Sequence, residues 1–286
     1  MAIEFSVIIP VKDGAGSIPV LLDSLAAQTL DPDRFEVIVV DNASRDGTAR
    51  IARERGATVV EEPIANRSRA RNRGAREARA DRFAFIDADC VAAPEWLDGM
   101  RRCAGRAPLL AGAVRVTTAE PPNAIERFEA LWRFDQESWV RQGWAATANM
   151  CVERTAFEAV GGLDETYRHI GEDVDFCVRA TRAGYPLGYC ADAVVTHDAE
   201  QRMWPLLRRS WAHGYSGNQA LYRLGLGYRA WRRPGPLLRG SDALRLYGWQ
   251  PDAFDRAEWR RMARLAQASY AARVVGSAWS ELRRAR

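Results

Sequence analysis

The chain is almost without lysine: Lys12 stands alone among 41 basic residues, the rest being arginine, and only three histidines accompany them. With 37 acidic residues interleaved, the formal charge is just +4. No tail or stripe of one sign is built to neutralise a nucleic-acid backbone, which argues against a DNA or RNA partner. Cysteine is sparse as well. The five present, Cys90, Cys103, Cys151, Cys177 and Cys190, form no CxxC pair and no zinc-ligand spacing, so they read as buried or reduced thiols. Long apolar runs are missing, and the opening "MAIEFSVIIPV" lacks a basic n-region and breaks at Pro10. A cytoplasmic location is expected, with a membrane-associated one as the second reading. Two glycine loops are absent too: "GAGSIP" is not GxGxxG, and no GxxxxGK[ST] occurs, which excludes both common nucleotide-binding loops.

What is present is an alternation of strand and helix. "FSVIIPV" (5–11), "FEVIVVD" (35–41), "ATVVEEP" (57–63) and "RFAFID" (82–87) are short β-branched or aromatic runs of the kind buried in a parallel sheet. Between them, "GSIPVLLDSLAAQ", "GTARIARERG" and an arginine-rich segment carry helical spacing. The pattern predicts a mostly parallel, Rossmann-like α/β sheet flanked by helices. From about Pro94 the alternation loosens. Helices are expected at "APEWLDGMRRCA" and over 123–142, strands at "LLAGAVRVT", "AATANMCVE" and "LGYCADAVVTHD", and short helices at "TAFEAVGGLDE" and "GEDVDFCVRATRAG". Residues 1–200 thus form one domain, its halves meeting near residue 93. Residues 201–286, rich in Trp, Arg and Leu with breaks at "RRPGPLLRG", form a helical C-terminal extension. Within it Trp204, Leu207, Trp211, Tyr215 and Tyr222 share one helical face, and Trp259, Met262, Ala266 and Tyr270 another. Such stripes mostly pack on a domain; a basic, tryptophan-bearing face on anionic lipid is the alternative.

In open α/β sheets the ligand crevice lies beyond the carboxyl ends of the strands, where this chain carries Asp13, Asp41, Asp87 and Asp89. Asp87 and Asp89 are the sharpest feature. Two acids at the end of a buried strand repel unless a cation or a hydroxyl-rich ligand lies between them. Residues two apart on an extended chain point the same way, so both carboxylates are expected to face the crevice. Alone, the pair would read as a solvated turn or a helix cap.

Taken in order, "SVIIPVKD", "EVIVVDNASRDGTARIA", "ARNRGA", "FIDADC", "VGGLDE", "GEDVDFCVRATRAG" and "VVTH" resemble the motifs of family 2 nucleotide-sugar glycosyltransferases with the GT-A fold, over about residues 4–198. The resemblance implies an inverting, metal-dependent transfer of a sugar from a nucleoside-diphosphate sugar to an acceptor hydroxyl. It assigns Asp173 as general base with Glu172 beside it, and Pro10, Val11, Asp13, Asp41, Arg71 and Asp87 to the donor nucleotide. The metal, Mg2+ or Mn2+, falls to Asp89 with Asp87 and His197, and the acceptor side to Asn149 and Asp164. "KD" at 12–13 replaces a commoner aromatic and Asn, which bears on base specificity. A UDP-sugar is the first donor expected, with GDP and dTDP sugars next; the acceptor stays open, and peripheral membrane contact through the C-terminal region is a further expectation. His169 and His213 read as structural, and Asp175 as a helix cap or solvated acid. Arg67, Arg69, Arg73, Arg76 and Arg79 read as a solvated helix face. Gly161 and Gly162 read as a tight turn.

The chemistry stands independently of the name. A departing diphosphate needs its charge neutralised, which a hard dication on carboxylates does. An attacking hydroxyl needs a positioned base, which an acid at a helix N-terminus can be. Two other readings remain: nucleotidyl transfer by the same acids, disfavoured by the lack of a basic activation loop near the first strand, and a non-catalytic nucleotide-sugar-binding protein.

Overall fold

The computed structural model describes residues 2–167, 170–225 and 256–284. His169, the "RRPGPLLRG" break and the side chains of Tyr222 and Trp259 lie outside the described residues.

Eight strands form one sheet: β1 (Phe5–Val11), β2 (Phe35–Asp41), β3 (Thr58–Glu61), β4 (Arg82–Ile86), β5 (Cys90–Ala92), β6 (Leu109–Thr117), β7 (Asn149–Glu153) and β8 (Leu187–Asp198). Their spatial order is β3-β2-β1-β4-β7-β6-β8-β5. The first four neighbours are parallel, β7 runs antiparallel to both β4 and β6, and β5 antiparallel to β8. The helices are α1 (Ile18–Ala26), α2 (Thr48–Glu54), α3 (Arg67–Glu77), α4 (Trp96–Cys103), α5 (Ala124–Trp132), α6 (Gln136–Arg141), α7 (Arg154–Ala159), α8 (Glu172–Arg182), α9 (Met203–Arg223) and α10 (Arg256–Arg284).

Side-chain alternation along β1 sorts the core onto two faces. Phe5, Val7 and Ile9 meet Leu21 and Leu25 of α1 and Trp96 and Met100 of α4. Ile8 packs on the other face with Ala70 of α3, Phe157 of α7 and Phe176 of α8. β1 is buried along its whole length, which is why its sequence runs apolar without alternating.

The chain divides into two compact units: 1–115, 134–168 and 172–198 form the sheet unit, and 116–133, 169–171 and 199–286 the helical one. In the helical unit Phe128 of α5, Leu206 of α9 and Met262, Leu265 and Ala266 of α10 form a small core. The helices α9 and α10 run parallel, since Ser210 meets Ser269 at 2.7 Å and Ser277 donates to the Gly214 carbonyl at 3.1 Å further along both. This contact differs from the expected aromatic stripe. A side chain at Gly214 would fall 1.9 Å from the Arg273 carbonyl, and one at Gly276 2.1 Å from that of Trp211, so small residues set the approach. The aromatics are displaced to the sides: Trp204 is 74% exposed, and Trp211 stacks on Tyr215 at 5.2 Å.

Two further expectations are corrected. The helix expected over 123–142 is two helices, because Phe134 takes a left-handed φ of +61° and Asp135 caps a new start through the Ser138 amide. The sulfurs of Cys103 and Cys190 are joined in a disulfide, not reduced; spacing of 87 residues gave no local signal for it. Cys90, Cys151 and Cys177 are buried thiols outside any disulfide, as expected. Among the described residues no helix is long and apolar enough to cross a membrane.

Candidate functional site

The run expected to stay extended through Asp89 stops at Ile86. Asp87 and Ala88 open a turn closed by the Cys90 amide on the Asp87 carbonyl at 3.1 Å, and β5 begins at Cys90. The alternation argument therefore fails, and the two acids take different partners. Asp87 accepts from Arg71 at 2.7 Å; Asp89 Oδ2 lies 3.3 Å from His197 Nε2.

Arg71 joins the two halves of the sheet unit. Its guanidinium, 1% exposed, also donates to Glu172 at 3.3 Å, so one cation connects the acid behind β4 to the acid that opens α8. Local sequence makes this possible. Gly74, one turn on, lets α3 lie against β1, where a Cβ would come within 2.5 Å of Ile8. Among the α3 arginines, the buried one is the one the resemblance singled out. Its neighbours are not uniformly solvated: Arg69 is tied to Glu62 and Glu165, and Arg73 pairs with Glu77.

Two buried polar atoms at this bridge, Arg71 Nε and Glu172 Oε2, have no hydrogen-bond partner. Buried polar atoms are normally satisfied, so an orphaned carboxylate oxygen beside a cation is a place for a hydroxyl or a water. Asp173 follows. Burial, with the neighbouring Glu172 charge adding to it, pushes its carboxyl from an ordinary 3.8 up to about 7, against the opposing pull of the Val174 amide and Arg71. Asp175 was expected to cap or be solvated, yet it is buried and paired with Arg179 at 2.7 Å.

His197 pairs with Cys90 across the β5–β8 ladder, which sets it beside Asp89. Its Nδ1 lies 2.6 Å from the Asp198 carbonyl. A carbonyl only accepts, so Nδ1 carries a proton, and Nε2 faces the Asp89 carboxylate. A cation or a proton fits between these two atoms, and metal-bound histidines commonly donate their other N–H in this way. The donor set, one carboxylate oxygen and one imidazole nitrogen, suits Mn2+. Among the described residues no group of three or more His, Cys, Asp or Glu side chains is placed to hold a metal ion, so Asp87 does not complete a protein cage.

The first loops are bound to each other. Asp13, with φ at +52°, accepts from the Arg45 amide at 2.7 Å and donates its own amide to Ser44 Oγ at 2.9 Å. Asp41 Oδ1 accepts from the Ser44 amide at 3.0 Å, so this oxygen shapes the turn rather than being left over by Asn42 and Ser44. Pro10 and Val11 are buried at the end of β1.

Asn149 does not face an acceptor. It is fully buried; its Nδ2 donates to the Ala113 and Ala193 carbonyls at 2.8 and 2.9 Å, and its Oδ1 accepts from Trp96 Nε1 at 2.8 Å. Its amide joins β6, β7, β8 and α4, which uses both ends of the side chain. Asp164 Oδ1 accepts from the Thr166 amide at 2.8 Å within the turn that Gly161 and Gly162 open with positive φ. Sequence reasoning missed the residues that seat this turn. Asn72 donates to the Leu163 carbonyl and accepts from the Leu163 amide, and Asn66 caps α3 while donating to the Glu165 and Tyr167 carbonyls. An asparagine before an arginine-rich helix was the available signal for the cap.

Comparison with known proteins bears on the whole arrangement. The model described as glycosyl transferase family 2 matches residues 6–147, and that described as glycosyl transferase family group 2 matches 83–283. The glycosyltransferase AglE of Haloferax volcanii is 33% identical over 205 residues, covering 68% of this chain and 66% of AglE. The pre-mycofactocin glycosyltransferase of Mycobacterium tuberculosis is 29% identical over 74% of this chain and 46% of its own length. The chain thus spans about half to two thirds of these relatives. Among solved structures, the mannosyltransferase PcManGT from Pyrobaculum calidifontis, in complex with GDP-Man and Mn2+, superposes with a TM-score of 0.62 at 20% identity, over 97% of this chain and 88% of that one. S. aureus TarS 1-349 in complex with UDP gives 0.55 at 16%, over 99% and 92%. These two likenesses identify the fold as GT-A.

Proposed function

The chain belongs to the family 2 glycosyltransferases, and from that premise we propose that it transfers a sugar from a nucleoside-diphosphate sugar to an acceptor hydroxyl with inversion, Asp173 acting as base. The observation that carries this reading is the buried Arg71 bridge between Asp87 and Glu172, next to an acid whose carboxyl sits near neutrality. A base with a pKa close to the working pH combines ionisation with proton affinity, which general-base catalysis requires.

In this reading the acceptor hydroxyl gives its proton to Asp173 as its oxygen attacks the anomeric carbon. The bond from that carbon to the diphosphate oxygen breaks on the opposite face, and the nucleoside diphosphate departs. Glu172 Oε2, buried and without a partner, receives a second hydroxyl and orients the acceptor. Asp87, held by Arg71, faces the donor's ribose, and Pro10, Val11, Asp13 and Asp41 line the nucleoside side. Asp89 and His197 would hold a divalent cation, whose role when bound is to neutralise the leaving diphosphate. PcManGT, whose structure holds GDP-Man and Mn2+, lends support to a nucleotide-sugar donor and to Mn2+. TarS with UDP supports placing a UDP-sugar first in any donor panel.

The test is a melting panel of UDP, GDP and dTDP with and without Mn2+, followed by product analysis with the corresponding sugars. A diphosphate present at a hundred times its dissociation constant adds about 2.7 kcal/mol. Stabilisation by one diphosphate that needs Mn2+, and release of that diphosphate on turnover, are expected. Release of pyrophosphate would make the enzyme a nucleotidyltransferase, and no response to any nucleotide would remove the donor site.

A further inference from the structure

The helical unit carries a feature that sugar transfer does not use. Between the start of α5, the start of α9 and the first half of α10 lies a groove of about 520 Å3. Ala124, Ile125, Met203 and Leu265 give it apolar walls, while Arg261 and Arg264 stand along it, exposed. Neither arginine has an ion pair or hydrogen bond among the described residues. Nearby acids are already committed: Glu258 pairs with Arg127, and Glu126 accepts from the Ala119 and Asn123 amides and from Gln201. Charge is lopsided well beyond the groove, since α9 and α10 hold ten arginines against two acids, Glu258 and Glu281. Beside the groove, Met203 is 41% and the adjoining Trp204 74% exposed, so large apolar side chains face water next to unpaired cations.

An apolar cleft edged by free guanidinium groups complements a ligand that is anionic at one end and hydrocarbon at the other. We propose that this groove and the Trp204 surface dock on an anionic phospholipid leaflet, with Arg261 and Arg264 on the headgroup phosphate and Met203 and Trp204 at the level of the upper acyl chains. Arginine suits the role because its planar fork binds phosphate oxygens in pairs. Tryptophan suits it because an apolar ring with one polar edge favours the water–hydrocarbon boundary. The inference rests on the helical unit alone and stands whether or not Asp173 is a base.

The test is sedimentation of the full chain with vesicles of phosphatidylglycerol or of phosphatidylcholine. Binding to the first, little to the second, and weakening on added salt are expected. Replacing both arginines, Arg261→Gln with Arg264→Gln, should lower partitioning on the order of 30-fold, about fivefold for each charge removed from the surface. The variant should keep the wild-type melting temperature and circular dichroism. Trp204→Ala should also weaken binding on phosphatidylglycerol while leaving melting unchanged. Equal binding to both lipids, no binding to either, or undiminished binding by the double variant would overturn the proposal. Release of the protein from vesicles by excess inorganic phosphate at constant ionic strength would overturn it as well, by making the site one for a free anion.

Discussion

Replacing Asp173 by Asn should make the protein more stable and much less active, with the stability gain depending on pH. The folded state holds this carboxyl at about 7 against an ordinary 3.8, so it binds its proton more tightly than the unfolded chain does. Below about pH 4 the acid is neutral in both states and costs nothing. As pH rises from 4 to 7 the unfolded chain releases the proton first, and native stability falls; above 7 the loss levels off. A displacement of that size corresponds to a ceiling of about 4 kcal/mol. Because Asp173 keeps some accessible surface, roughly half of that, about 2 kcal/mol, is the expected effect. Asparagine has the same shape and no charge to bury. The variant should match the wild type at pH 4 and melt about 4–8 °C higher at pH 8. Transfer should fall by about 10²–10⁴, and the wild-type rate should rise with pH through 7. Thermal melts at pH 4, 6 and 8 beside a turnover assay give the answer. A variant no more stable at pH 8 than the wild type, or a gap that ignores pH, would refute the electrostatic argument; retained turnover would refute the role.

Three other outcomes are expected. Asp89→Asn should abolish the Mn2+-dependent part of nucleoside-diphosphate stabilisation in melting experiments; an intact Mn2+ effect would free Asp89 and His197 of the metal role. Asn149→Ala should cost roughly 3 kcal/mol or more in chemical denaturation, since three hydrogen-bond partners, two buried and one half-buried, lose their mate at about 1–3 kcal/mol each, yet nucleotide affinity should hold; a loss of affinity at unchanged stability would return Asn149 to the substrate side. Removing the Cys103–Cys190 bridge with a double Cys→Ser variant should lower stability by up to about 4–5 kcal/mol for so long a loop, and a variant as stable as the parent, or two extra reactive thiols in native wild type, would show the bridge to be absent.

The strands were legible because each is a continuous apolar run between turn residues. β1, β2, β6 and β8 fall where the pattern places them, since a sheet covered on both faces leaves little else for such runs to do. What local pattern could not supply was contact at long range. β5, only three residues long, has no periodicity of its own and exists because β8 offers it an edge. Ser210 and Gly214 make the helix contact that Trp211 was expected to make, because backbone approach depends on the smallest side chains, which hydropathy scarcely registers. Asn149 looked like a substrate ligand from its motif. Only its burial reveals an amide consumed by two neighbouring strands and an indole.

The site shows the same division more sharply, and charge explains it. Residue types and motif order named Arg71, Asp87, Glu172 and Asp173 without locating them; the fold gathers one buried cation against three acids, two in contact and the third acting through space. Burial works against an arginine's charge, yet here the acids overcome it and hold Arg71 above its ordinary range. One positive charge cannot balance three negative ones, so the surplus must be met by a proton, a cation or a change of partner on binding. The raised Asp173 carboxyl is the proton answer. Once ionised, a carboxylate whose proton affinity is raised by burial and then by a neighbouring anion takes up a proton readily, and a hydroxyl entering the crevice is a source of one. The burial that makes Asp173 costly to the folded state is therefore the same feature on which its proposed role as a base draws.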